Sequence, residues 1–278
     1  LSSPLLEHLA VAGAGLLAGA VNALAGGGTI ISFPVLIAVG LPAVNANITN
    51  TVALSPGYVA GTWSQRADLK GQEATLRRLV VVAAGGGAAG SVLLIEIPPA
   101  SFKVAVPYLI LLACALLLCQ DPVRAALARR AARRAARQPA PDAGTGGEAG
   151  GAAEAPGEPV RPPLLGAELL AVFACSVYGG FFGAGLGIML LAVLGLFSTT
   201  TLVRTNALKQ ALSAVINCIA AILFAFSRKV DWTDAGVLAI AAVAGASVGG
   251  RLVRRVNPQL LRGLVVLLGI AVAVRSFV

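Results

Sequence analysis

Ala25-Gly26-Gly27-Gly28-Thr29 interrupts one apolar stretch of the chain, and Ala184-Gly185-Leu186-Gly187-Ile188 interrupts another 159 positions later. At that same offset, without gaps, Val44 falls on Val203, Asn47 on Asn206 and Lys70 on Lys229, while Asn45 and Asn50 fall on Arg204 and Lys209. A glycine run inside an apolar helix frees backbone N–H and C=O groups that lipid cannot satisfy, so the break is stable only inside protein or beside a water-filled cavity. Gly-interrupted hydrophobic segments at corresponding places in two halves are the best sequence pointer to a transporter's binding site. The duplication predicts a membrane transporter whose site is built by two related halves.

Composition excludes a soluble globular chain. Hydrophobic residues make up 57% and charged residues 12% of 278 positions, with mean hydropathy +0.86; soluble domains carry about 25% charge. Apolar stretches near the ~20 residues that cross a bilayer recur along the whole length. The expected single spans are 44–63, 75–95, 100–119, 202–227, 232–250 and 259–277, with longer broken segments at 5–40 and 164–198. The expected fold is an all-α polytopic membrane protein of two inverted repeats, each a Gly-broken helix pair plus three transmembrane helices. Residues 1–119 are the first repeat, 120–163 a cytoplasmic basic helix and disordered linker, and 164–278 the second repeat. The apolar N-terminal stretch is too long for a signal-peptide core and is read as mature structure.

The formal charge of +9 gathers in loops. Arg66, Lys70, Arg77 and Arg78 form one cluster, Arg124, Arg129, Arg130, Arg133, Arg134 and Arg137 a second, and Arg251, Arg254, Arg255 and Arg262 a third. Lysine and arginine distribute this way in loops held in the cytoplasm. Aromatic residues, at 5%, are too sparse between them for base stacking, so no nucleic-acid partner is expected. The lipid bilayer is the expected surface, with residues 122–137 lying along its cytoplasmic face as an Ala/Arg-rich helix attracted to anionic lipids. Residues 138–163 are mostly Pro, Gly, Ala and Glu and are expected to be a disordered tether. With the basic loops inside, each half makes three single crossings, an odd number. The second half therefore enters upside down, with both chain ends outside, an arrangement that alternating-access transporters commonly use.

The candidate site is an anion site. Helices restarting at Thr29 and near Ile188 would aim free N–H groups and the positive ends of their dipoles into a cavity. That nominates Gly27, Gly28, Thr29, Gly185 and Gly187. Gly15/Gly19, Gly57/Gly61 and Gly245/Gly249 are small-xxx-small pairs suited to close helix packing. Packing could explain either break alone; the repeated position favours a site. The spans that follow the breaks open with polar residues. Asn47, Asn50 and Thr51 share one helical face, as do Asn206, Lys209 and Gln210. Arg204 can snorkel to the surface. Lys209 lies about 10 Å into its helix, where a charge costs roughly 2.5–3.5 kcal/mol on insertion scales. No carboxylate lies deep enough in the spans to pair with it, so a bound small anion is its expected partner. Asn47, Asn50, Arg204, Asn206 and Lys209 complete the candidate set.

Other chemistries find no support. There is no G-x-x-x-x-G-K-[ST] loop for nucleotide. Glu7, Glu96, Glu168 and Asp231 sit near segment ends or in loops, so no carboxylate relay for protons or sodium is expected. Cys114, Cys119, Cys175 and Cys218 lie in apolar spans without metal-ligand pairs, and the single histidine, His8, reads as interfacial. No catalytic residue, metal or cofactor is expected.

These motifs resemble the TauE/SafE sulfite exporter family, in which each of two halves opens with a Gly-rich broken helix. The pieces are Gly26-Gly27-Gly28-Thr29 through Pro34, Gly179-Gly180-Phe181-Phe182-Gly183-Ala184-Gly185-Leu186-Gly187, and a lysine in the following helix, here Lys209. Lys229-Val230-Asp231-Trp232 is similar to the family's Gly-Lys-Val-Asp-Trp segment, with Arg228 in place of the glycine. The resemblance implies export of a small sulfur-containing anion across a bacterial cytoplasmic membrane: sulfite, an organosulfonate such as sulfoacetate, or thiosulfate. The alternatives are an anion channel on the same halves and a proton-coupled carrier for another small anion. A membrane enzyme lacks any nucleophile–base pair in the spans. The oligomeric state is left open.

Overall fold

Proline and glycine set most helix boundaries in this chain, because proline starts a helix without wasting an N–H and glycine turns the chain out of one. In the computed structural model, residues 4–24, 28–135, 162–197, 200–252, 263, 266, 267, 269 and 270 are described. The helices are α1 (Pro4–Leu24), α2 (Thr29–Ala38), α3 (Ala43–Ser64), α4 (Glu73–Glu96) and α5 (Pro99–Leu118), then α6 (Gln120–Ala135), α7 (Pro162–Phe181), α8 (Leu186–Phe197), α9 (Leu202–Phe226) and α10 (Trp232–Leu252). Pro42 precedes α3, Pro98 and Pro99 open α5, and Gly40, at φ +109°, ends the α2 turn. Among the described residues there is no strand. The all-α class and the boundaries agree with the hydropathy reading to within a few residues. The expected tether differs at one end, since Pro162 already opens α7. Residues 25–27, 136–161 and both chain ends lie outside the described residues, and so do most positions of the expected span 259–277.

Among the described residues, four helices (α1, α4, α5 and α9) are long and apolar enough to cross a membrane by length and composition. The expected span at 44–63 is fully helical but falls short on hydropathy. Its first turns carry Asn47, Thr49, Asn50 and Thr51, all buried against other helices rather than turned outward. Val81, Val104, Leu170, Phe226 and Ile240 are instead exposed, as side chains facing lipid would be. Trp63 and Trp232 are exposed at helix ends, where indole rings settle at the bilayer interface.

Packing pairs helices across the two halves. α1 lies along α10, α7 lies along α4, and α3 lies along α9. The third pair is antiparallel. Asp231 N–H donates to Thr49 Oγ1 and Asn45 donates to the Lys229 carbonyl at one end, while Asn206 donates to Gln65 at the other. Glycine makes the other two pairs close. A β-carbon on Gly180 would sit 2.1 Å from the Gly87 carbonyl, and one on Gly90 2.0 Å from that of Val177. Gly19 and Gly245 are equally tight against Ala242 and Leu16. Gly15 fits the expected packing role, whereas a β-carbon on Gly57 would meet nothing within 4 Å.

The broken pairs enter from opposite ends. Glu7 of α1, Gly40 after α2, Asn45 of α3 and Asp234 of α10 surround one cavity of about 600 Å³, so α1 and α2 begin and end at one face. At the other face Arg78 of α4 bonds Glu168 of α7 at 3.2 Å, and Leu127 of α6 touches Gly195 of α8. The α7–α8 pair therefore begins and ends where the basic residues 66–78 lie.

Candidate functional site

The second break is held open by two left-handed glycines. Gly183 and Gly185 have φ of +77° and +79°, conformations that side chains rarely adopt, and they turn the chain between α7 and α8. Tyr178 clamps the turn from within α7, its hydroxyl donating to the Ala184 carbonyl at 2.6 Å. Phe182 packs edge-on against Phe33 of α2, with ring centroids 5.4 Å apart. The helix then restarts at Leu186. Among the described residues, the N–H groups of Ala184, Gly185 and Gly187 make no hydrogen bond. Such orphan donors at a helix start carry its positive dipole end.

Lys209 stands over this restart. A β-carbon on Gly187 would lie 3.8 Å from Lys209 Nζ, so the ammonium rests on the opening turn of α8. Among the described residues Lys209 makes no hydrogen bond and no ion pair. Ammonium and orphan N–H groups together form a positive cluster inside an apolar bundle, and what that arrangement can do chemically is hold an anion.

The first break is built differently. Asn50, which falls on Lys209 at the repeat offset, reaches the start of α2, where its amide donates to Thr29 Oγ1 at 3.4 Å. Ser32 donates in turn to Asn50 Oδ1 and to the Gly28 carbonyl. These neutral groups satisfy one another. Asn47, one turn earlier, crosses to the other half and donates to the Phe181 carbonyl at 2.9 Å, leaving its buried Oδ1 without a partner among the described residues. Gly28 packs against Ala18 and Asn22 of α1; Gly27 lies outside the described residues.

Two candidate residues stand nearer the basic face. Arg204 donates to the Lys70 carbonyl, and its own carbonyl accepts from Gln72, so it ties α9 to the α3–α4 loop. Asn206 donates to Gln65 Oε1 at 2.8 Å and lines a cavity of about 310 Å³ with Arg124 of α6. Sequence reasoning missed Ser32 and Tyr178 as neighbours of the breaks, and Arg124 as a neighbour of Asn206. Ser32 left a signal, a polar residue one turn after a break in an apolar helix. Arg124 looked like one more basic residue of the linker.

Helices that stop and restart inside an apolar bundle, behind a surface of exposed aliphatic side chains, define a multi-pass all-α membrane protein. A family model described as sulfite exporter TauE/SafE matches residues 11–276, and the chain belongs to that family. It is a transporter family, which places this protein among exporters of sulfur-containing anions. Comparisons with curated proteins and with solved structures find no match.

Proposed function

We propose that the protein exports a small sulfur oxyanion, sulfite or an organosulfonate such as sulfoacetate, and that the anion binds at the second break between Lys209 and the opening turn of α8. The observation that carries this reading is the ammonium over Gly187 without a counter-ion among the described residues. A lone charge in an apolar bundle is costly, and an anion that reaches it recovers that cost. The first break, already satisfied by Asn50, Thr29 and Ser32, serves as the neutral counterpart that shapes the other side of the path. The antiparallel α3–α9 pair, and broken pairs that open at opposite faces, support two inverted repeats around this path. The basic face is then cytoplasmic.

Binding to the purified protein tests the substrate. Sulfite and sulfoacetate should bind, while taurine, lactate and sulfate bind more weakly; a preference for lactate would contradict the reading. Reporter fusions test the repeat. Fusions near Gly150 and at Val278 should report opposite sides of the membrane, and the same side for both would contradict the inverted arrangement.

A further inference from the structure

The repeat offset that maps Asn45 onto Arg204 and Lys70 onto Lys229 also maps one hydrogen bond onto another. Arg204, in the first turn of α9, donates to the Lys70 carbonyl beyond α3. Asn45, in the first turn of α3, donates to the Lys229 carbonyl beyond α9. Each bond ties the start of one repeat's helix to the loop that follows its partner, so the antiparallel pair is tied once at each face. Neighbours reinforce both ties. At the basic face Gln72 donates to the Arg204 carbonyl and Asn206 to Gln65 Oε1; at the opposite face the Asp231 N–H donates to Thr49 Oγ1. Open space reaches each tie from its own side. Asn45, Lys229 and Asp231 line the cavity of about 600 Å³. Gln65 and Gln210 line another, of about 350 Å³, whose wall follows α3 from Ser64 to Ala53, about 16 Å at 1.5 Å per residue. Along the chain Lys209 falls between Asn206 and Lys229, and Asn50 between Asn45 and Gln65. The two ties therefore stand at opposite ends of the helix pair whose side chains touch the two breaks.

We propose that the two crossed ties are the inner and outer gates of the transport path, that Gln65 and Asn45 are the uncharged residues holding them, and that export opens them alternately. The proposal rests on the inverted-repeat and substrate readings above and deepens them. Alternating access needs one gate shut while the other is open. Loosening one gate therefore shifts the empty protein toward the state open on that side. Neutral amides suit such a device, because a neutral hydrogen bond has a small net worth and can break and re-form in each cycle.

Transport by the full-length protein in proteoliposomes of uniform orientation tests this, with sulfite or sulfoacetate supplied from one side at a time and the potential held at zero. Asn45→Ala loosens the outer tie. It should lower KM from the outer side and raise KM from the basic side, changing their ratio about fivefold, the equivalent of one neutral hydrogen bond. Gln65→Ala should move the ratio the opposite way. Neither substitution changes charge, so the long-range attraction of the anion stays the same. A merely structural role would move KM in the same direction from both sides. That result, or ratios that do not move in opposite directions in the two variants, overturns the proposal. Should Asn45→Ala fail to fold, Thr49→Val reads the outer tie by the same ratio. Wild-type protein with saturable flux of neither anion overturns the substrate reading and the gates with it. Saturable wild-type flux with unchanged ratios in the variants overturns the gates alone.

Discussion

Lys209→Gln is expected to lower sulfonate affinity by about 30- to 150-fold, the equivalent of roughly 2–3 kcal/mol for a hydrogen bond to a charged group in a water-poor site. Lys209→Met should do the same to binding while leaving the empty protein as stable as before or more so. The sign follows from the geometry. The ammonium has no ion pair among the described residues, so its removal relieves a desolvation cost and breaks no structural contact of its charge. Thermal unfolding in detergent, with and without anion, measures both effects at once. A variant that loses stability in the empty state would make Lys209 a structural residue. Arg204→Ala should weaken binding less, because Arg204 is engaged at the Lys70 carbonyl.

The second large effect is on folding. Gly180→Leu and Gly90→Leu should each cost at least about 3 kcal/mol, at or beyond the upper end for overpacked interiors. In both cases the first added carbon meets a backbone carbonyl at about 2 Å, and backbone cannot rotate away as a flexible side chain can. The α4–α7 pair must then separate, and it carries the start of the second break. Gly85 provides the contrast in the same helix. It is exposed and an added β-carbon would meet nothing within 4 Å, so Gly85→Ala should be neutral or stabilise by up to about 1 kcal/mol through helix propensity. Monodispersity and the unfolding midpoint of the three variants decide the matter. Equal behaviour at positions 85 and 90 would mean that close packing of α4 on α7 is not what holds the bundle.

The fold was largely readable from sequence because hydropathy, proline and glycine act locally. Apolar runs gave the helices, Pro42 and Pro99 their starts, and the duplicated Gly-rich motifs the places where they stop. Gly183 and Gly185 confirm the logic, since only a residue without a β-carbon takes that turn cheaply. The span at 44–63 was read correctly as a helix, although its hydropathy is the lower for the polar residues of its first turns. A span whose polar face is buried among helices need not be apolar throughout, and composition alone does not say which way Asn47 and Asn50 turn. The site was less accessible because its contacts join distant segments. Asn47 meets Phe181 across 134 positions and Asn206 meets Gln65 across 141. The sequence marks Lys209 as a deep charge, yet its place over Gly187 depends on how α8 packs against α9. Arg124 is the extreme case, because a charge pattern along one helix does not reveal that the helix folds back.

Charge also decides the driving force. An anion leaving a cell that is negative inside gains about 2.3 kcal/mol per charge per 100 mV. A monoanion can thus be expelled against roughly a fiftyfold concentration ratio without a coupling ion. The most direct test is sulfonate flux in proteoliposomes of uniform orientation under an imposed potassium-diffusion potential, with no sodium, no ATP and equal pH on both sides. Saturable flux whose direction follows the sign of the potential, and which Lys209→Gln lowers at sulfonate concentrations below saturation, is the predicted result. Flux that ignores the potential but follows a proton gradient, or whose concentration dependence is unchanged by the loss of Lys209, would contradict it.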